Sequence, residues 1–213
     1  MQKNIADIRK DYSLHELSEN NVASNPIEQF AKWWNDAIES EIVEVNAMTL
    51  ATSTKDGKPS ARIVLLKGFE ESGFIFFTNY ESKKGEVISE NPKAALIFFW
   101  KEIERQVRIE GTVEKISAEE SDAYFFSRPE GSRIGAWASP QSKIINGRKI
   151  LEDNAEKYTG EFKNSIPRPP HWGGYRVMPQ LIEFWQGRSN RLHDRIQYTK
   201  TDDGSWKVDR LAP

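Results

Sequence analysis

From residue 47 onward the apolar residues of this chain repeat with a period of two, and that pattern limits its fold more than any other feature. Residues 48–53 read as a short strand, Lys55-Asp56-Gly57-Lys58 carries the Asp-Gly signal of a tight hairpin, and residues 60–67 read as the return strand. Further strand-like runs occupy residues 73–78, 94–100, 106–116, 175–177, 181–185, 195–199 and 206–210, the last entered through Asp202-Asp203-Gly204. Helical signals fall between some of them. Asn25-Pro26-Ile27-Glu28 has the residues of a helix start, and Ile27, Phe30, Ala31, Trp34 and Ile38 follow on one face. Residues 82–91 read as a helix stopping before Pro92, and residues 148–163 as another. Ser117-Ala118-Glu119-Glu120 reads as a capping box that opens a helix to about residue 127. Strands joined mainly by hairpins predict a mainly β fold, an antiparallel sheet or barrel with flanking helices. Neither GxGxxG nor GxxxxGK[ST] occurs, so a doubly wound nucleotide-binding sheet is a poor reading.

Composition narrows the class. A chain of 213 residues, 38% of them hydrophobic, supports one substantial core. We read residues 1–24, polar and poorly periodic, as a flexible arm, and residues 25–213 as a single domain. The absence of cysteine excludes disulfides, thiolate metal sites and cysteine nucleophiles. Only His15, His171 and His193 are available as imidazoles, without HExxH spacing, so no metal site is expected. The longest apolar run, residues 94–100, is far short of the roughly 20 a membrane helix needs. With no apolar leader at the N-terminus either, a cytoplasmic protein is expected, without a membrane partner. Thirty basic and 32 acidic residues give a net charge of −2, which argues against nucleic-acid binding but leaves room for a local cationic pocket.

Three groups of residues invite a chemical reading. In Arg62-Ile63-Val64-Leu65-Leu66-Lys67 a cation lies beside aliphatic residues on each face of a strand. Those cations either snorkel to water at strand ends or are aimed at an anion. Close by, Phe77-Thr78 ends a strand and Lys83-Lys84 opens a helix, an arrangement suited to cradling phosphate. Tyr124 and Arg128, four apart on a helix face, with Ser132 just beyond Pro129, suit a phosphate monoester, although an Arg matched to a helix C-terminus explains them equally well. Between Trp185 and Arg195 the chain gathers an aromatic, several Arg and His193, a set suited to a planar heterocycle bearing phosphate. Arg191 and His193, two apart in a segment read as extended, point to one face and can reach one planar ligand. The alternative is that they pin the strand through ion pairs to Asp194 or Asp209.

Together with Glu104-Arg105-Gln106-Val107, Phe126-Ser127-Arg128-Pro129, Ile134-Gly135-Ala136-Trp137, Gln141-Ser142, Trp172-Gly173-Gly174-Tyr175, Glu183-Phe184-Trp185-Gln186-Gly187, Arg191-Leu192-His193-Asp194-Arg195 and the terminal Trp206 to Pro213, these segments closely resemble the pyridoxamine 5'-phosphate oxidase family. The resemblance runs from about residue 9 to the C-terminus. It implies an FMN-binding split β-barrel working as a homodimer, with the flavin at the subunit interface. It also implies oxidation of pyridoxamine 5'-phosphate or pyridoxine 5'-phosphate to pyridoxal 5'-phosphate, with O2 reduced to H2O2. Matched motif by motif, Arg62, Ile63, Val64, Leu65, Leu66, Lys67, Phe77, Thr78, Lys83, Lys84, Gln106, Gln141, Ser142, Trp185 and Arg195 would contact FMN. Lys67, Tyr124, Arg128 and Ser132 would take the substrate phosphate. Arg191, Leu192 and His193 would face the pyridine ring, with Arg191 and His193 catalytic. Arg9, Lys10, Asp11 and Tyr12 resemble a family segment that folds over the site. Lys83 departs from a pattern in which Arg is frequent, keeping the charge but losing the bidentate fork. Two other readings remain open on the residues: a split-barrel flavin oxidoreductase with a different substrate, or a flavin or pyridoxal-phosphate carrier without turnover.

Overall fold

The Asp56-Gly57 turn forms where the pattern places it. The Thr54 N–H donates to the Lys58 carbonyl at 3.1 Å, that of Gly57 donates to Thr54 O at 2.9 Å, and Gly57 takes φ 86°, a left-handed conformation that glycine adopts freely. The turn joins β1 (Ala47–Ser53) to β2 (Pro59–Leu65). A computed structural model describes residues 4–7, 10–163 and 165–213. Its further strands are β3 (Gly68–Glu70), β4 (Gly73–Asn79), β5 (Lys93–Trp100), β6 (Arg105–Lys115), β7 (Trp172–Gln186), β8 (Asp194–Lys200) and β9 (Trp206–Arg210). They hydrogen-bond in the order β2-β1-β5-β6-β7-β4-β3, with β8 on β7 and β9 on β8. The pairs β3–β4, β4–β7, β7–β8 and β8–β9 are antiparallel. Helices are α1 (Pro26–Glu39), α2 (Lys83–Glu90), α3 (Ala118–Ser127), α4 (Glu130–Ala138) and α5 (Lys149–Phe162). This is the mainly antiparallel β fold with flanking helices that the pattern predicts. None of the helices among the described residues is long and apolar enough to cross a membrane, and no acid–histidine group there could hold a metal ion.

The chain sorts into two compact units, the first built from residues 1–50, 95–111 and 179–213, the second from residues 51–94 and 112–178. In the first unit α1 is capped by Asn25, whose side chain accepts from the Ile27 N–H at 2.7 Å. It buries Ile27, Phe30, Trp33 and Ala37, whereas Trp34 is only half-buried and Ile38 is exposed. The apolar face is therefore turned by one residue from the expected one. Trp33 takes the inner place because its ring meets Phe184 edge-on at 5.1 Å and the Arg105 guanidinium at 4.5 Å. Phe30, Phe98, Trp100 and Tyr198 fill the rest of this core. Part of the expected flexible arm is fastened to it. Leu17 and Ala23 are buried, the Leu17 N–H donates to Asp194, and the Tyr198 hydroxyl donates to the Ala23 carbonyl at 2.6 Å.

In the second unit β4 pairs with both β3 and the first half of β7. Two elements here were not anticipated. The three-residue β3 is short, and α4 starts directly after Pro129, in a stretch for which the sequence suggested no helix. Proline disfavours helix before it but suits a helix beginning, so one residue ends α3 and starts α4. The α3 capping box is complete: the Glu120 N–H donates to Ser117 Oγ at 3.0 Å and the Ser117 N–H to Glu120 Oε2 at 3.2 Å. Phe125, Ile134, Ile166 and Trp172 form a core that α5 covers with Ala155, Tyr158 and Phe162. The two strands expected at residues 175–177 and 181–185 are one 15-residue strand. Pro179, which lacks an N–H, is tolerated where β7 changes partner from β4 to β8.

Candidate functional site

A cavity of about 470 Å³ opens within the second unit, and cations dominate its wall. Strand β2 and the residues after it supply Arg62, Ile63, Val64, Leu65 and Lys67; β4 supplies Phe77, Thr78 and Asn79; α2 supplies Lys84. Tyr124 and Arg128 come from the end of α3, Gly135 and Ala136 from α4, Ser139 and Gln141 from the loop beyond it, and Trp172 from the start of β7. Four of these residues are cations, and none is Asp or Glu.

Local structure fixes each cation. Arg62 Nη1 donates to Thr52 Oγ1 at 2.9 Å and Nη2 to Ser60 Oγ at 2.6 Å. Lys84 sits in the first turn of α2, which Ser82 caps. Its ammonium donates to Gln141 Oε1 at 3.0 Å and Thr78 Oγ1 at 3.2 Å. Burial, then the neighbouring Arg62 charge, pushes the Lys84 pKa down, and burial lowers that of Arg62 as well.

Opposite them stands an aromatic stack. Phe77 and Tyr124 lie at 3.9 Å between centroids and 22° between planes, and Trp172 continues the stack 5.5 Å from Phe77. The Arg128 guanidinium lies 4.5 Å from the Trp172 ring centroid, and its buried Nη1 has no hydrogen-bond partner. Burial lowers the Arg128 pKa, opposed by Tyr124. The shared helix face expected for Tyr124 and Arg128 is not what unites them. Arg128 is the C-cap of α3 with extended backbone (φ −77°, ψ 148°), and stacking on Trp172 aims it into the cavity. An orphaned buried guanidinium donor is costly alone and is satisfied by an anionic ligand. The donor set thus fits phosphate groups, and the flat aromatic wall fits a planar ring.

Of the eighteen residues assigned to the flavin or the substrate phosphate, the structure brings eleven together around this cavity and leaves seven outside its lining, of which Gln106, Trp185 and Arg195 belong to the first unit. Leu66 is buried beneath the strand, Lys83 is exposed on the first turn of α2, Ser132 is exposed on α4, and Ser142 is exposed with φ 69°. Asn79, Gly135, Ala136, Ser139 and Trp172 line the cavity without having been assigned a role. The Trp172 motif was visible in the sequence, but its contact with Arg128 was not.

A second cavity, about 600 Å³, lies within the first unit and is lined by Lys10, Asp11, Tyr12, Arg188, Asn190, Arg191 and His193. The segment carrying Arg191 is not extended as expected. Ser189–Arg191 forms a 3-10 turn with φ 56° at Asn190 and 62° at Arg191, and β8 begins only at Asp194. Arg191 and His193 nevertheless reach the same cavity. The Arg188 N–H donates to His193 Nδ1 at 3.0 Å, and burial followed by the Arg191 charge lowers the His193 pKa. The imidazole is therefore neutral near pH 7 with its proton on Nε2. Its ring packs 4.6 Å from that of Trp185. Neither cavity residue ties the strand to the acids suggested: Asp194 pairs with Arg210 and Arg188, and Asp209 with Lys207. Leu192 is exposed and outside the lining, Gln106 is half-buried on β6, and Arg9 lies outside the described residues. Arg195 is engaged within the protein, its Nε 2.8 Å from Glu183 Oε1 and its Nη1 donating to the Ala212 carbonyl.

Comparison with known proteins agrees on one group. Residues 34–161 match the family model described as pyridoxamine 5'-phosphate oxidase, and residues 172–213 one described as the pyridoxine 5'-phosphate oxidase C-terminal dimerisation region. Proteins named pyridoxine/pyridoxamine 5'-phosphate oxidase from Trichormus variabilis and Nostoc punctiforme are 58% and 59% identical, each over 100% of both chains. Among solved structures, PhzG from Burkholderia lata, in complex with tetrahydrophenazine-1-carboxylic acid, superposes with a TM-score of 0.86 at 32% identity, covering 91% of this chain and 95% of that one. An FMN binding protein from Nostoc punctiforme, described as pyridoxamine 5'-phosphate oxidase-related, shares the fold at TM-score 0.69 and 19% identity, covering 86% of this chain and 97% of that one.

Proposed function

This chain belongs to the pyridoxamine 5'-phosphate oxidase family, and on that premise we propose that it oxidises pyridoxamine 5'-phosphate and pyridoxine 5'-phosphate to pyridoxal 5'-phosphate in vitamin B6 metabolism, with FMN as cofactor and O2 reduced to H2O2, the amine route also consuming water and releasing ammonia. One observation carries the reading. A chain of net charge −2 gathers Arg62, Lys67, Lys84 and Arg128 around one cavity with no acid in its lining. Such a wall favours anions, and the proposed reaction has two phosphorylated participants.

Arg62 and Lys84, with the Thr78 hydroxyl and the Gln141 amide beside them, hold the FMN phosphate. When bound, FMN would supply the two-electron redox chemistry that couples oxidation of the substrate to reduction of O2. Arg128, Lys67 and the Tyr124 hydroxyl hold the substrate phosphate. Trp172 packs against the Arg128 guanidinium and holds it in place, and the unpartnered Nη1 then meets a phosphate oxygen. To Arg191 and His193 we assign the pyridine ring on the family match, His193 donating from Nε2 to a polar ring substituent. Holding the reacting carbon in one place is the protein's main contribution to rate. The active form is a homodimer, a reading supported by the match of residues 172–213 to a dimerisation region.

A different substrate is the competing reading, since PhzG was solved with a carboxylic acid that carries no phosphate. The test is direct. Purified protein is loaded with FMN, and O2 uptake, peroxide and pyridoxal 5'-phosphate are followed with pyridoxamine 5'-phosphate, pyridoxine 5'-phosphate, unphosphorylated pyridoxamine and tetrahydrophenazine-1-carboxylic acid. Turnover confined to the phosphorylated amine and alcohol is expected. Turnover of the tricyclic acid alone, or binding without turnover, would refute the assignment.

A further inference from the structure

Glu104 is a buried carboxylate in a place where the backbone does not favour its residue type. It ends the turn between β5 and β6 at φ 56°, the left-handed region in which Gly or Asn is relaxed, and is only 2% exposed. A glutamate kept there is explained by what its side chain does. Oε2 accepts the N–H groups of Ser13 at 2.9 Å and Leu14 at 3.2 Å, and Oε1 pairs with the Lys10 ammonium at 3.1 Å. Burial alone would raise the carboxyl pKa; the Leu14 N–H, the Lys10 ammonium and the Ser13 N–H outweigh it and hold the group ionised. The main chain of the turn is anchored too, its Glu104 carbonyl accepting from the Gly187 N–H at 2.8 Å.

All three partners of the carboxylate belong to residues 10–14, the first three of which, Lys10, Asp11 and Tyr12, also wall the Arg191–His193 cavity. Tyr12 stands edge-on to Trp185 at 5.9 Å and 6.0 Å from the His193 ring, its carbonyl accepting from Ser189 Oγ. The fit is close: a Cβ on Gly187 would lie 2.7 Å from Tyr12 Cγ. We propose that Glu104 is a positioning residue, a latch that fastens residues 10–14 so that Lys10 and Tyr12 form one wall of the cavity holding the substrate ring. The role in catalysis rests on the ring-binding reading of that cavity; the latch itself does not.

The test uses FMN-loaded full-length protein carrying Glu104→Gln, with Glu104→Asp as the conservative variant. Chymotryptic cleavage after Tyr12 should accelerate roughly tenfold in Glu104→Gln and partly recover in Glu104→Asp, as expected when a segment opens locally. Flavin content should match that of the parent, while KM for pyridoxamine 5'-phosphate rises several-fold more than kcat falls. Cleavage within twofold of the parent in a folded variant overturns the latch, as does a general loss of Tm and flavin without selective cleavage. Should Glu104→Gln not fold, Lys10→Met removes one partner from the other side and must also speed the cleavage. A parent protein that never oxidises pyridoxamine 5'-phosphate defeats the ring-site reading and leaves the proteolysis result standing.

Discussion

The backbone N–H of Arg188 donates to Nδ1 of His193, and this single bond decides which imidazole nitrogen can address a ligand. Protonation of Nδ1 would break it. The folded-state pKa lies below the ordinary 6.5 because of burial and the Arg191 charge. Between the folded and unfolded values the unfolded chain binds more protons, so this group's contribution to stability is present above pH 6.5 and is lost as pH falls through the folded value. We expect kcat/KM to be flat above that pH and to fall on an acid limb below it. Replacing Arg191 by Met removes one of the two causes, so the limb should move to higher pH. A limb that stays in place would show that the titration belongs to another group.

Arg191 itself is expected to act in the transition state. Arg191→Met should lower kcat and kcat/KM together, by about tenfold or more, with flavin content unchanged. Stopped-flow reduction of the bound flavin by pyridoxamine 5'-phosphate provides the measurement. A change within twofold would remove Arg191 from the mechanism.

The Arg62–Lys84 pair should discriminate a flavin phosphate from its absence. Arg62→Ala or Lys84→Met should weaken FMN by about 10- to 150-fold, the equivalent of about 1.5–3 kcal/mol for one charge-assisted hydrogen bond. Riboflavin, lacking the phosphate, should lose little. Equal losses in a fluorescence titration would contradict the phosphate assignment.

Arg128→Lys tests the fork at the second anion position. The substitution keeps the charge but gives up the planar stack on Trp172, where the guanidinium sits 4.5 Å from the ring centroid. KM for pyridoxamine 5'-phosphate should rise about tenfold or more, with FMN affinity unchanged. An equal loss of FMN affinity would place Arg128 at the flavin rather than at the substrate phosphate.

Two glycines separate packing from flexibility. A Cβ at Gly85 would sit 2.0 Å from the Tyr80 carbonyl oxygen, so Gly85→Ala must displace the start of α2 and Lys84 with it. A loss of about 1–3 kcal/mol is expected, seen calorimetrically as a Tm lower by roughly 2–10 °C, together with weaker FMN binding. At Gly131 on α4 the added methyl meets nothing within 4 Å, and Gly131→Ala should be neutral or raise Tm slightly.

What could be read in the sequence was mostly local. The Asp56-Gly57 turn and the Ser117/Glu120 capping box need only neighbouring residues, and both formed as expected. Helix α1 shows the limit of periodicity. Adjacent Trp33 and Trp34 both suit the pattern, and Phe184 and Arg105, distant in sequence, decide which one goes inside. Helix α4 was hidden because its nine residues, Glu130–Ala138, have no side-chain cap and bury only Ile134 and Ala138, too few to show a helical period. At the candidate site, Arg62, Thr78 and Lys84 were legible as a phosphate-suited set, with the family resemblance sharpening the choice. The stacking of Arg128 on Trp172 and the turn that carries Arg191 were not, since each depends on chain segments that meet only after folding.

The acid-free wall of the first cavity also has a consequence for the life of the protein before it meets a ligand. Folding gathers four like charges there, so part of the free energy of folding is spent assembling a field that only an arriving anion can discharge. Stability is then linked to supply: binding adds RT ln(1 + [L]/Kd), about 2.7 kcal/mol when ligand stands at 100 times Kd. The empty protein should melt earlier, be degraded faster and gain stability from phosphate buffer, so its abundance in a cell would follow the flavin available to fill it.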